Sequence, residues 1–386
     1  MESRITMKIA SIESYIIHPS IGKNLLFVKV ETNEGVAGWG ECYTQSDRDT
    51  VIQSLIQKLT RYLKGRDPFE IKRFTHMVYE DWATKRGSME LFCAISGIEQ
   101  ALWDILGKRL DQPVYNLLGG PCRKQIRVYA NGWSNRASTI DELCDQAKAT
   151  VQRGFTALKF DPFPGPWRLF IKREEEKEAI AKVEAVRGAV GPNIDILIEV
   201  HRRLAPMHAI RLAKSLEKYS PFWYEEPVPS ENVDALRLVK NQVDIPIVTG
   251  ECLYTKSAFR TIFEKSAADI INPDICNTGG ILELKEIAAM AEPYYIAVAP
   301  HNYNSTIFGL AASLQAAAVI PNFLILEYFL FFEPLSNDIA ENPFSVEKGY
   351  IELPHNPGLG IQLKEDALVQ YTYKEFHKRH INPYLS

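Results

Sequence analysis

The chain has no run of about 18 consecutive apolar residues, the length a membrane-crossing helix needs, and its opening residues Met1-Glu2-Ser3-Arg4 lack the long apolar stretch of a secretion signal. The expected location is therefore the cytoplasm, with no membrane contact. An excess of one charge is also missing. Lys and Arg number 44 against 48 Asp and Glu, a net charge of −4, so nothing in the balance favours a nucleic acid or another polyanion as partner. Cysteine is sparse, and Cys42, Cys93, Cys122, Cys144, Cys252 and Cys276 show no CxxC spacing. That pattern predicts reduced, mostly buried thiols and excludes a disulfide frame or a cysteine-rich zinc site. Low-complexity segments are absent as well.

What the chain does have is length and a regular polar punctuation. Its 386 residues, 46% of them apolar, suffice for an eight-unit α/β barrel of about 250 residues and a second domain. Between Asp195 and Glu327, short apolar runs each end in a carboxylate or histidine. They are Ile196-Leu-Ile-Glu199-Val-His201, Phe222-Trp-Tyr-Glu225-Glu226, Ile247-Val-Thr-Gly-Glu251, Ile270-Ile-Asn-Pro-Asp274, Ala297-Val-Ala-Pro-His301 and Leu324-Ile-Leu-Glu327. Glu199, Glu225, Glu251, Asp274, His301 and Glu327 follow one another at 26, 26, 23, 27 and 26 residues, roughly the length of a strand, a helix and a return to the next parallel strand. Segments with helical periodicity, such as Met207 to Tyr219 and Ser257 to Ser266, lie between them.

In a closed ring of parallel strands the carboxyl ends converge on one mouth. Glu199, Glu225 and Glu251 would meet there. Packed without a cation they would repel, and some would take up protons at neutral pH. A hard divalent ion removes the conflict, and an all-oxygen donor set suits Mg²⁺ better than Zn²⁺, so these three are read as ligands of one Mg²⁺. His301, at the end of a later strand, is the side chain best able to be a neutral base near pH 7.

The runs Trp223-Tyr-Glu225-Glu226-Pro227, Thr249-Gly-Glu251 and Asn272-Pro-Asp274 with Gly279-Gly280 resemble the barrel of the enolase superfamily, in its mandelate racemase branch. Gly35-Val-Ala-Gly-Trp-Gly-Glu41, Ala101-Leu-Trp-Asp104 and Pro113-Val-Tyr-Asn-Leu-Leu-Gly-Gly120 extend the likeness over nearly the whole chain. More narrowly, Tyr129-Ala-Asn131-Gly-Trp133, Leu158-Lys159-Phe-Asp161 and Ile198-Glu199-Val-His201 are similar to its sugar-acid dehydratases, the gluconate and galactonate types in particular. The resemblance implies a modified (β/α) barrel of seven to eight units, an α+β cap over its mouth and a small sugar acid as substrate.

Along the chain, three alternating strands up to Glu41 precede a helical stretch from Ser46 to Leu118, which is an α+β unit over residues 1–120. In the resembled family its early loop, here Ser20 to Lys23, touches substrate. Tyr79, Trp82 and Arg86 read equally as helix residues or substrate contacts. A Gly-Gly-Pro linker leads into the barrel over 121–330, in which the Pro-rich stretch Asp161 to Trp167 is a loop over the site. The apolar run Tyr328 to Phe332 reads as a contact with the cap or with another copy in a homo-oligomer. Residues 331–386 return to the cap.

For the chemistry, the resemblance implies that Asp274 orients His301 as the base. It also implies that His201, two residues beyond Glu199 and on an extended strand facing the same way, protonates the departing hydroxyl; support of a ligand carboxylate is the other reading. The family's Lys-x-Lys is here Lys159-Phe-Asp161, so the second lysine is missing. A racemase needs an acceptor on each face of the carbon, and the missing one leans the reading towards β-elimination. Lys159 is left to hold the substrate carboxylate or to pair with Asp161 or a ligand. Glu327 would bond the substrate carboxylate in protonated form, its pKa raised by burial near other carboxylates. Asn131, Trp133, Asp161, Arg202, Arg203 and Asn302 are candidate contacts for a polyol chain. The first ligand is often Asp in this branch, and Glu199 departs from that. The expected activity is Mg²⁺-dependent dehydration of an aldonate to a 2-keto-3-deoxy acid. An epimerase or cycloisomerase using the same enolate is the alternative, and a non-catalytic metabolite-binding protein a third.

Overall fold

The computed structural model describes residues 7–45, 48–83, 87–163, 169–303 and 307–376. Arg86, the side chain of Trp82 and most of the Pro-rich loop lie outside the described residues. Strands β1 (Ile9–Ile17), β2 (Leu25–Thr32) and β3 (Ala37–Cys42) form an antiparallel meander. Helices α1 (Asp49–Leu59), α2 (Ile71–Ala83), α3 (Met89–Leu110) and α4 (Val114–Leu117) follow. Most of α3 is buried from Leu91 to Ile105, polar Glu99, Gln100 and Asp104 included, because it packs on the sheet and also reaches the barrel. A helix with both sides covered carries no amphipathic stripe.

The second unit alternates strand and helix: β4 (Gln125–Asn131), α5 (Ile140–Gln152), β5 (Ala157–Phe160), α6 (Arg173–Val190), β6 (Asp195–Glu199), α7 (Pro206–Leu216), β7 (Trp223–Glu225), α8 (Val233–Lys240), β8 (Ile247–Thr249), α9 (Thr255–Glu264), β9 (Ile270–Ile271), α10 (Ile281–Ala291), β10 (Ala297–Val298), α11 (Phe308–Val319) and β11 (Leu326–Phe329). Caps written in the sequence set some of these boundaries. Thr139 accepts from the Glu142 amide while the Glu142 carboxylate accepts from the Thr139 amide, a reciprocal capping box at the start of α5. The strands are parallel in the order β10-β9-β8-β7-β6-β5-β4-β11. Backbone bonds from Val298 N to Asn322 O (2.9 Å) and from Leu324 N to Val298 O (2.8 Å) join the two ends, so among the described residues the sheet closes into an eight-stranded barrel with seven intervening helices.

The inside of the barrel is layered. Tyr129, Ala157, Leu197, Trp223, Val248, Ile270, Ala299 and Ile325, one from each strand or its immediate end, form an apolar plug. Side chains alternate along a strand, so the next inward position is two residues on. Those positions are Asn131, Lys159, Glu199, Glu225, Gly250, Asn272, His301 and Glu327. A floor of apolar side chains thus carries a ring that is polar except at glycine.

The cap sits on this ring. The Tyr43 amide donates to Cys276 O (3.0 Å) and the Gly309 amide to the Glu41 carboxylate (3.0 Å). Glu99 of α3 accepts from the Ile281 and Leu282 amides (2.8 and 3.0 Å), capping α10 from another domain, where a carboxylate suits the helix dipole. Gly280 makes this possible, since its φ is +96° and a Cβ there would lie 2.1 Å from Glu99 Oε2. Gly280→Ala is expected to destabilise the protein by about 2 kcal/mol or more, through strain and loss of the cap, as read by urea unfolding; a change within about 0.5 kcal/mol would show that the contact yields freely.

After β11, helix α12 (Glu333–Ile339) is followed by β12 (Tyr350–Glu352), which pairs antiparallel with the start of β4. The chain then returns to the cap, where Lys29 pairs with Glu365 (2.8 Å) and Asn24 donates to Lys374 O (2.7 Å). The apolar run after Glu327 packs on the early cap loop, with a Cβ on Gly22 placed 3.2 Å from the Phe332 ring. Of the cysteines, Cys42, Cys93 and Cys276 are buried, Cys144 and Cys252 half-buried and Cys122 exposed, so the expectation of mostly buried thiols holds for only half of them.

Candidate active site

The ring at the barrel mouth brings Glu199, Glu225 and Glu251 together. All three are buried, and one carboxylate oxygen from each lies within 4.8 Å of the others. Glu199 and Glu225 are direct cross-strand partners in the β6–β7 register. Glu251 arrives differently. The inward position on β8 is Gly250, whose φ of +141° turns the chain so that the following residue points inward.

Lys159, also fully buried, stands 2.9 Å from Glu225 Oε1, 3.2 Å from Glu327 Oε1 and 3.5 Å from Glu199 Oε2. Burial opposes its charge, but Glu225 and Glu327 outweigh that and hold the amine well above its usual range. One lysine does not satisfy the cluster. Glu199 Oε2 and Glu225 Oε2 are buried without a hydrogen-bond donor among the described residues, and burial, then the Glu199 charge, pushes the Glu225 carboxyl well above the carboxylate range. Three buried carboxylates converging within 4.8 Å, two of their oxygens without a donor among the described residues, form an all-oxygen set that fits a hard divalent ion.

Across the mouth, His301 Nδ1 is 2.7 Å from Asp274 Oδ2, while Nε2 faces Glu251 (3.1 Å) and Glu327 (3.5 Å). Burial disfavours the imidazolium, yet Glu327 and Glu251 hold it well above the usual histidine value. Tyr43 from the cap and Tyr303 from the barrel flank the ring at 6.4 and 6.3 Å. Between them lies buried Lys23, its amine lowered to about 7 by burial.

His201 is placed by a device other than the extended strand expected for it. Strand β6 ends at Glu199, and His201 and Arg202 both have left-handed backbones, with φ of 53° and 60°. The turn swings His201 Nδ1 to Asp161 Oδ2 (2.7 Å), leaving Glu199 4.0 Å away. Burial lowers its basicity, but Glu199 and the bond to Asp161 more than compensate, and His201 sits above the ordinary value.

Glu327 also departs from expectation. Burial does raise its carboxyl, but Lys159 and His301 overcome this and the pKa is lowered. Asn131 Nδ2 donates to one oxygen (2.5 Å) and the Asn302 amide to the other (2.8 Å). Trp133 spends its indole N–H on Lys159 O (2.8 Å). Arg203 is buried on Asp161 (2.5 Å) and Phe163 O (2.9 Å), and the half-buried Arg202 pairs with Glu251 and Glu226. Tyr79 is exposed, on a groove between α2 and the starts of α9 and α10. Two residues with parts in the site were not singled out from the sequence. Asn272 donates to Glu225 Oε1 (2.8 Å), and Glu226 accepts from Thr249 Oγ1 and the Gly250 amide (2.9 and 2.8 Å). Asn272 was findable, since it lies two residues beyond the apolar plug on β9.

Fold and site together define a capped (β/α) barrel with a three-carboxylate centre and a His-Asp pair at its mouth. Residues 142–367 match the family described as enolase C-terminal domain-like, and residues 15–119 the mandelate racemase/muconate lactonizing enzyme N-terminal domain. The chain belongs to the enolase superfamily, in its mandelate racemase/muconate lactonizing branch. It is 38% identical to the D-xylonate dehydratase of Haloferax volcanii, over 89% of this chain and 84% of that protein. It is 36% identical to the D-gluconate dehydratase of Thermoproteus tenax, over 90% of this chain and 69% of that one. Among solved structures, a mandelate racemase/muconate lactonizing enzyme from Sulfitobacter sp superposes with a TM-score of 0.89 at 33% identity, covering 96% of each chain.

Proposed function

We propose that this protein is a Mg²⁺-dependent aldonate dehydratase, which removes the proton beside the substrate carboxylate, expels the β-hydroxyl as water and releases an enol that becomes a 2-keto-3-deoxy acid. One observation carries the reading: a three-carboxylate cluster shares its mouth with two histidines, each held by its own carboxylate, His301 on Asp274 and His201 on Asp161. The names of the xylonate and gluconate dehydratases support the substrate class.

Glu199, Glu225 and Glu251 would hold Mg²⁺, whose charge stabilises the second negative charge that develops on the substrate carboxylate when its neighbouring carbon loses a proton. His301 Nε2 takes that proton. Asp274 accepts from Nδ1, which fixes the tautomer and steadies the imidazolium formed. Glu251 and Glu327 face the same Nε2 and favour the imidazolium that forms when the proton arrives. His201, whose imidazolium is favoured by the bond to Asp161, donates to the departing hydroxyl. Asp161, at the family's second-lysine position, supports this acid and supplies no second base, which favours elimination over racemisation. Lys159 carries the proton that faces the substrate carboxylate, and Glu327, kept ionised, aims it.

The direct test offers a library of aldonates and aldarates with Mg²⁺, or with EDTA in its place, and assays 2-keto acid. Silence across the library, or equal rates in EDTA, would overturn the assignment. The division of labour between the histidines has its own test. His201→Gln is expected to slow water loss by about 10²–10⁴-fold, while the proton beside the carboxylate still exchanges with D₂O by NMR. Disappearance of exchange along with dehydration would remove His201 from the acid role.

A further inference from the structure

We propose that Arg202 is a built-in counter-cation of the three-carboxylate centre and sets how tightly that centre holds a divalent ion. The inference rests on reading Glu199, Glu225 and Glu251 as the ligand set. Two independent observations point to it.

The first is backbone. Arg202 has φ = 60° directly after His201 at 53°, a left-handed pair that glycine would adopt freely and that a β-carbon disfavours. A non-glycine residue in that conformation carries a cost that its contacts must offset. The fold secures the turn through the Arg202 amide, which donates 2.7 Å to Glu226 O.

The second is charge. From the end of β6 the guanidinium crosses to Glu251 Oε1 beyond β8, and lies 3.6 Å from Glu226 Oε2 beyond β7. Among the described residues Glu226 Oε2 is buried and otherwise without a hydrogen-bond donor. Lys159 reaches Glu199, Glu225 and Glu327, whereas Glu251 is served by Arg202 and His301. The two fixed cations thus divide the cluster between them, and Arg202 holds the member that sits outside the strand register. Because guanidinium does not lose its proton, its charge stays beside Glu251 and opposes any second cation there. Arg202 therefore keeps the metal-free site folded, at the cost of a weaker, more readily exchanged ion.

The test is calorimetric titration of the full chain with MgCl₂ together with melting in EDTA, for wild type, Arg202→Gln and Arg202→Lys. Arg202→Gln is expected to bind Mg²⁺ at least about tenfold more tightly and to melt lower in EDTA. Arg202→Lys, which keeps the charge, is expected to stay within about threefold of wild type. Wild-type or weaker binding by Arg202→Gln would overturn the proposal, as would equal tightening in both variants, which would assign the effect to shape. A wild-type chain that takes up no Mg²⁺ would instead overturn the ligand reading beneath it.

Discussion

Replacing His301 by Asn is expected to lower the dehydration rate by about 10²–10⁴-fold, the range a positioned acid or base contributes, with KM for the sugar acid nearly unchanged. The amide keeps much of the ring's shape but cannot accept the proton. The imidazole is buried, oriented by Asp274 at 2.7 Å and aimed at the carboxylate cluster, so no other histidine in the site shares its position. The loss should extend to exchange of the proton beside the carboxylate with D₂O. In this respect the variant differs from His201→Gln, and the pair of experiments separates proton removal from departure of the hydroxyl. Residual exchange near the wild-type rate in His301→Asn would assign the base elsewhere.

The second large effect is on stability. Lys159→Met should destabilise the metal-free protein by about 3–5 kcal/mol, the cost of removing one partner from a buried charge cluster and leaving the other uncompensated. Lys159 and its partners Glu225 and Glu327 are almost wholly buried, so solvent screens the cluster little. Urea unfolding in EDTA measures it. A loss below about 1 kcal/mol would show that the carboxylates answer the change by taking up protons. Met preserves most of the side chain's length, so packing against Tyr129, whose ring lies 5.4 Å from the Lys159 amine, changes little.

Much of this site could be read from the sequence because a parallel barrel writes its mouth into the chain at a constant interval. Each βα unit contributes one strand end, and the residue closing an apolar run therefore falls in the ring or one to two residues beyond it. Glu199, Glu225, His301 and Glu327 were legible for that reason, and the period-two rule extends to Asn131, Lys159 and Asn272. Glu251 was legible as the end of a run although it lies one residue out of register, a displacement that Gly250 absorbs.

Spacing alone did not give the placement of His201, since the rule of alternation fails where the strand stops and two left-handed residues begin. Nor did it give the ionisation of Glu327. Burial among carboxylates raises a carboxyl, but the sign here is set by Lys159 and His301, which arrive from other strands. The sequence by itself determined the strand ends, the donor types and the family. Only the tertiary structure decided which charges pair, which oxygens lack a donor and where Arg202 reaches, because Coulomb interactions and hydrogen bonds depend on distances between segments far apart in the chain, and no local pattern encodes those distances.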